Sequence, residues 1–217
     1  MRAIALALLL TASLTGCSGI AYKAAMPNVS MNCVDSLQAV SGMPLKFPVP
    51  GEELDEHEGF VEFASVARCY RPAEGTPVPV ALYRLESITP PAEVKVSVQL
   101  STGGTFAAAL DVLDADMKPL RRYGFEQFTR RGSTYSLDVF LNPSTTTPAY
   151  VMLSPDQTHV GKKDTATGSA TNVSPILAGP VMFMYHTGSE TVTENPLLQG
   201  GKVRVVAHPH RTAITAD

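Results

Sequence analysis

An antiparallel all-β sandwich of about ten short strands, with one short N-terminal helix, is the fold this sequence predicts. Three observations carry that expectation. Residues Val94 to Leu100 alternate apolar and polar without a break, the period of a strand with one buried face. The 17 prolines and 16 glycines are dispersed along the chain, which suits frequent turns between short strands. Almost no segment shows the apolar period of an amphipathic helix.

Taken in order, the chain begins with Arg2 and an uncharged stretch from Ala3 to Ala12, then small residues up to Cys17. A secretory signal peptide has this layout. The run is too short for a spanning helix, which needs about 20 apolar residues. Its last four residues, Leu14-Thr15-Gly16-Cys17, resemble the lipobox of bacterial lipoproteins. That resemblance implies cleavage before Cys17, a diacylglyceryl group on its sulfur and a third acyl chain on the new amino terminus. Plain secretion would need only small residues at the cleavage site, so the cysteine is the specific part. Each methylene of an acyl chain buried in lipid contributes roughly 0.8 kcal/mol, and three chains make attachment effectively permanent. Ser18 stands where an aspartate would, by analogy with enteric lipoproteins, favour the inner membrane. The implied address is the periplasmic face of the outer membrane, with the membrane reached through the N-terminal lipid anchor. Residues 1–16 are then the leader, 17–30 a lipidated tether, 31–208 a single β-sandwich domain and 209–217 a tail.

About 200 residues remain after cleavage, enough for one large or two small domains. No linker-like shift in composition interrupts the strands, which favours one. Loss of Arg2 takes the formal charge from -3 to -4. Nucleic acid, which selects for a concentrated basic surface, is not an expected partner. Cys33 and Cys69 are the cysteines left after lipidation, and in an oxidising compartment an even pair reads as a disulfide. Such a bridge would stabilise by about 4 kcal/mol in the chain-entropy model. Two buried thiols are the alternative. No metal is expected, because neither cysteine has a second ligand at metal spacing.

Asn32 is a suitable N-cap for the short helix, which would put Cys33 and Leu37 on one face and stop at Gly42 and Pro44. From Leu45 onward the reading is β. Strand candidates are Phe60 to Arg71, Val80 to Leu85 and Val94 to Leu100, the last with Val94, Val96, Val98 and Leu100 inward and the rest in solvent. A Gly103-Gly104 turn leads to a strand with Phe106, Ala108, Leu110 and Val112 inward. Leu120 to Phe128, Tyr135 to Leu141, Ala149 to Leu153, Val181 to His186 and Lys202 to Ala207 complete the set. Residues 154–178 are rich in Thr, Ser and Gly with no stable period. They read as a solvated excursion or a mobile functional loop.

Templates for catalysis fail one by one. There is no Gly-x-Ser-x-Gly elbow, no His-Glu-x-x-His helix and no phosphate-cradling loop ending in Gly-Lys-Ser/Thr. His208-Pro209-His210 is the one close histidine pair and lies near the carboxyl end, where a solvated tail is expected over a metal site. Asp111, Asp114 and Asp116 lack the glycine and distal glutamate of a calcium loop, and Asp111 takes the outward phase of its strand. The acidic run from Glu52 to Glu58 reads as a loop kept soluble by repulsion. No cofactor is expected and no catalytic residue is assigned. Arg121 and Arg122 before, and Arg130 and Arg131 after, the aromatics Tyr123, Phe125 and Phe128 form a basic cluster. Guanidinium groups beside aromatic faces suit a sugar or anionic glycan. Alternatively the aromatics fill the core and the arginines crown the ends of the sandwich.

Residues 91–153 resemble the maltose operon periplasmic protein family. The matching pattern is the Val-rich strand, then VLDADMKPLRRYGFEQF (112–128), TYSLDVFLNP (134–143) and PAYVML (148–153). CVDSLQAV (33–40) and LKFPVPG (45–51) also resemble its short helix and first strand. After Ser154 the chain departs from the family pattern. The resemblance implies an exported, non-catalytic protein accessory to maltose or maltodextrin uptake at the cell envelope. The competing expectation is a structural or adaptor lipoprotein that docks an envelope protein. Sugar sites favour large aromatic platforms, and with no Trp present, Tyr and Phe would have to supply them.

Overall fold

The structure is a computed structural model that describes residues 32–45, 59–85, 88, 91–101, 103–142, 147–178 and 181–209. Its elements are β1 (Met43–Pro44), β2 (Val61–Glu62), α1 (Phe63–Val66), β3 (Arg68–Tyr70), β4 (Val78–Arg84), β5 (Ala92–Gln99), β6 (Thr105–Phe106) and β7 (Ala108–Leu113). There follow β8 (Pro119–Tyr123), β9 (Thr129–Arg131), β10 (Thr134–Leu141), β11 (Tyr150–Pro155), β12 (Lys163–Ala178), β13 (Val181–Leu198) and β14 (Lys202–Pro209). Single 3-10 turns occupy Leu37–Ala39 and Phe125–Gln127. The leader, the tether with Cys17 and the acidic run from Glu52 to Glu58 lie outside the described residues.

Two sheets make the sandwich. The first has the order β1-β4-β11-β7-β8, with β3 also bonded to β4; the second is β2-β14-β5-β10-β9. All pairings within them are antiparallel except β1 with β4. Between them lies one apolar core. Val94, Val96 and Val98 of β5 are fully buried there, as the alternation of that segment requires, and Leu110, Val151 and Leu153 reach them from the first sheet. Each such burial contributes roughly 1.5–3 kcal/mol. Phe106 packs on Phe63 of α1 with ring centroids 4.5 Å apart and planes tilted by 31°, and both are fully buried.

Every residue of β7 is buried, on both faces. The cause is a second, smaller core on the outer face of the first sheet. There Val40, Val80, Leu82 and Leu113 pack with Val34, Leu37 and Tyr70. Cys33 and Cys69 form a disulfide, Cα to Cα 4.4 Å, that staples the N-terminal segment over this patch. Of the two alternatives for these cysteines, the bridge is the one present. The expected helix is not. Ser36, rather than Asn32, caps a single 3-10 turn, and Val34 instead bridges Tyr70, its N–H donating to the Cys69 carbonyl at 3.0 Å. Pairing with β3 satisfies backbone groups that a longer helix would have needed.

Four other expectations are corrected. Leu120 to Phe128 is not one strand: Gly124 ends β8, a 3-10 turn buries Phe125 with Phe128 beside it, and the chain crosses to the second sheet as β9. Phe60 to Arg71 is broken by α1, whose Phe63 plugs the core. Residues 154–178 are not a loop. Ser154 and Pro155 end β11, a turn runs through residues 156–162, and β12 then pairs with β13 over sixteen registered positions from Lys163↔Pro196 to Ala178↔Val181. Thr and Val favour extended backbone. A ribbon exposed on both faces needs no apolar alternation, so the period that identifies half-buried strands is missing. Finally, β14 reaches Pro209, so His208 and Pro209 pair with β5 and belong to the sheet.

Candidate functional site

Four strands of the second sheet build a groove of about 480 Å³ on its outer face. The floor is set by register. Ser136 of β10 lies opposite Ser97 of β5, and Arg204 of β14 lies opposite Ser97 on the other side. Small side chains in the middle and long ones at the flanks make the surface concave. Ser97 is 3% exposed and Ser136 8%, and neither hydroxyl has a hydrogen-bond partner among the described residues. Lys95 sits one pleat along the floor, 3.9 Å from the Asp138 carboxylate on the facing strand. Arg131 and the turn through Gly132, Ser133 and Thr134 form one wall. Arg204 forms the other, its guanidinium 4.9 Å from the Phe60 ring centroid, a cation–π contact. A polar side chain on the outward phase of a central strand was expected to face solvent, and Ser97 does not.

The four arginines of the predicted cluster do not come together. Arg121 and Arg122 stand on β8 of the first sheet, while Arg130 and Arg131 stand on β9 of the second. The turn at Phe125–Gln127 separates the pairs, and the aromatics between them enter the core. Arg122 is held by the buried carboxylate of Asp111, 2.9 Å away. Arg121 helps line a small pocket of about 140 Å³ with Leu120, Phe140 and Pro148. Arg130 lies 6.0 Å over the ring of Tyr135, whose hydroxyl bonds Asp164. Of the four, only Arg131 reaches the groove.

Glu126, Asp156 and His159 gather their ligand atoms within 4.8 Å of one another. Asp156 is nevertheless spent on structure. Its Oδ1 accepts from the Thr158 N–H at 3.0 Å and from the Thr158 hydroxyl at 2.6 Å. Its Oδ2 accepts from the Phe125 N–H at 2.9 Å, and His159 Nδ1 is also 2.9 Å away. Those four contacts use the lone-pair sites a carboxylate has. Burial pushes the Asp156 carboxyl upward, yet the bonds from Thr158, Phe125 and His159 outweigh it and hold the pKa at about 2. The trio latches the turn after β11 to the crossover between sheets. Sequence spacing concealed it, because Asp156 and Phe125 are 31 positions apart.

A second surface feature lies beyond that latch. From Thr165 to Ser189 the chain carries no Asp, Glu, Lys or Arg. In the β12–β13 ribbon, cross-strand pairs share a face, so Ile176 with Phe183 occupies one side and Leu177 with Met182 the other. Leu177 is 76% exposed, and Val173, Ile176, Met182, Phe183, Met184 and Tyr185 are each at least half exposed. Both faces of the outer ribbon are therefore apolar. Among the described residues, β12 pairs with β13 alone, and β13 gains only β6 at Leu197 and Leu198. No helix among the described residues is long and apolar enough to cross a membrane. Comparison of the chain with protein-family models, curated proteins and solved structures finds no match.

Proposed function

We propose that this protein is a non-catalytic lipoprotein of the outer membrane, facing the periplasm, that docks an envelope protein through its β12–β13 ribbon. The lipid anchor at Cys17 is supported by Leu14-Thr15-Gly16-Cys17 and the apolar run before it. The docking role rests on one observation: the outer ribbon, without Asp, Glu, Lys or Arg from Thr165 to Ser189, carries apolar side chains on both faces. Its seven large exposed side chains offer roughly 800 Å² over the two faces together if each full residue area is roughly 150–250 Å², near one side of a standard interface for a partner that covers both. Hydrocarbon alone would leave the N–H and C=O groups along the ribbon's outer edges unsatisfied, which lipid penalises heavily. A protein that adds a strand to such an edge satisfies them and covers the apolar faces together. A photo-crosslinking residue at Phe183 in intact cells should yield one protein adduct of defined mass, while the same group at Lys118, on the body, should not. Only lipid adducts at position 183, or equal adducts at both, would reject docking. Unchanged membrane association of Cys17→Ala would reject the anchor.

A second reading is an accessory role in carbohydrate uptake, such as that of maltodextrins. The resemblance of residues 91–153 to the maltose operon periplasmic proteins favours it, as does the hydroxyl-lined groove. Titration calorimetry with maltodextrins tests it, and no heat at millimolar ligand would remove it.

A further inference from the structure

We infer that the groove of the second sheet binds an anionic saccharide, with Arg131 taking its acidic group and Ser97 and Ser136 its hydroxyls. This rests on the carbohydrate reading and names the class of sugar.

The ligand class follows from what lines the site. All of its side chains are polar and three are cationic, so an apolar ligand would find nothing to pack on and would strand buried polar groups. Arg131 has no carboxylate partner among the described residues. Lys95 is shared with a single carboxylate, Asp138, at the loose distance of 3.9 Å. A planar guanidinium binds a carboxylate or phosphate in forked geometry, which sets the acid at the β9 wall.

The floor explains why a sugar fits better than a bare anion. The Ser97 and Ser136 side chains are more than nine-tenths buried and open only onto the groove. Ser97 and Ser136 lie directly opposite on adjacent strands, with Cβ atoms about 5 Å apart, near enough for each hydroxyl to bond one of two neighbouring hydroxyls of a sugar ring. Each hydroxyl can donate once and accept twice, matching the dual character of a sugar hydroxyl. A volume of about 480 Å³ is far more than one phosphate needs and falls in the range of small-molecule sites. Arg204, set over the Phe60 ring, closes the opposite end. The distance from the β14 wall to the β9 wall is three strand spacings, about 14 Å, enough for one or two sugar rings.

Calorimetric titration of the full protein tests the inference, with tetragalacturonate, glucose 6-phosphate, maltotriose and inorganic phosphate as ligands. An acidic saccharide, whether its charge is a carboxylate or a phosphate ester, should bind saturably and more weakly as salt rises. Whichever of the two binds identifies the acid. Arg131→Ala should weaken it about tenfold, the loss expected for one hydrogen bond to a charged group, without shifting the melting temperature. Maltotriose binding as tightly as the acidic sugars would overturn the charge preference while leaving the carbohydrate reading intact. Inorganic phosphate competing as well as the saccharides would overturn the assignment to a sugar. No saturable binding of any saccharide would overturn the inference and the carbohydrate reading together.

Discussion

Asp111 and Arg122 face each other across β7 and β8, with a guanidinium nitrogen 2.9 Å from a carboxylate that is almost wholly buried. Burial raises the Asp111 pKa, and the Arg122 charge and hydrogen bond pull against that rise. Removing Arg122 leaves a buried carboxylate without its counter-charge. Arg122→Ala should therefore destabilise the fold at neutral pH. The loss should be about 2 kcal/mol, below the 3–5 typical of fully buried pairs because Arg122 is itself 58% exposed. A carboxyl whose folded pKa lies above its unfolded one costs stability when ionised, and the cost vanishes as it takes up a proton. Both folded pKa values lie above the ordinary carboxylate value, the variant's higher, so the gap between variant and wild type should narrow as pH falls toward the ordinary carboxylate range and be closed within it. A constant gap in urea titrations across that range would assign the loss to packing.

Asp156 behaves oppositely. Its folded pKa of about 2 lies below the ordinary 3.8, so its stabilisation is complete above pH 3.8 and is lost as pH falls through 2. The shift corresponds to about 2 kcal/mol. Asp156→Asn keeps the shape but lacks the charge that draws four donors. It should lower stability at pH 7 and erase the acid-sensitive part of it between pH 4 and pH 2. Denaturant midpoints measured at those three pH values check both statements, and a variant that keeps the wild-type acid slope would show that another carboxylate carries it.

Both groups mark where sequence reading ran out. Strands with one dry face were legible: Val94, Val96 and Val98, and Tyr135, Leu137, Val139 and Leu141, alternate because one side of each strand meets the core. Asp111 took the outward phase correctly, but the outward side of β7 is covered by a segment some seventy positions earlier, which no local period records. Ser97 was missed for the same reason: its partners in the groove come from β9, β10 and β14. The four arginines looked like one cluster because they are near in sequence, and a 3-10 turn sends them to two sheets. In the ribbon, Thr165 and Thr171 signal extended chain, yet with no core beneath them the apolar alternation never arises. Cysteine count, by contrast, needed no geometry, and Cys33 and Cys69 are bonded.

The bridge has a local consequence. The N-terminal segment from Cys33 to Val40 holds the outer patch of Val80, Leu82 and Leu113 against water, and the disulfide limits how far it can leave. Reduction, or Cys33→Ser with Cys69→Ser, should cost about 4 kcal/mol on the chain-entropy account. Hydrogen exchange should speed first at Val34 and Arg71, whose amides bond across that contact. Urea midpoints and exchange rates read the two effects, and unchanged protection at these amides would mean that packing alone secures the segment.

The ribbon allows stability and docking to be separated. Leu177, Met182, Phe183 and Met184 are exposed by more than half and belong to neither core cluster, so the fold gains little from them. Replacing all four by Ser should leave the melting temperature almost unchanged, because exposed substitutions usually stay within about 0.5 kcal/mol each. The same change removes most of the apolar surface at the outer ribbon. Binding of a hydrophobic dye to the native protein should therefore fall sharply. In cells, the adduct from a crosslinker placed at Tyr185 should be lost, while the membrane fraction is unaltered, since these substitutions leave Cys17 in place. Melting lowered by more than a few degrees would show that these side chains pack on the body, and the surface would then be part of the fold instead of a place for a partner.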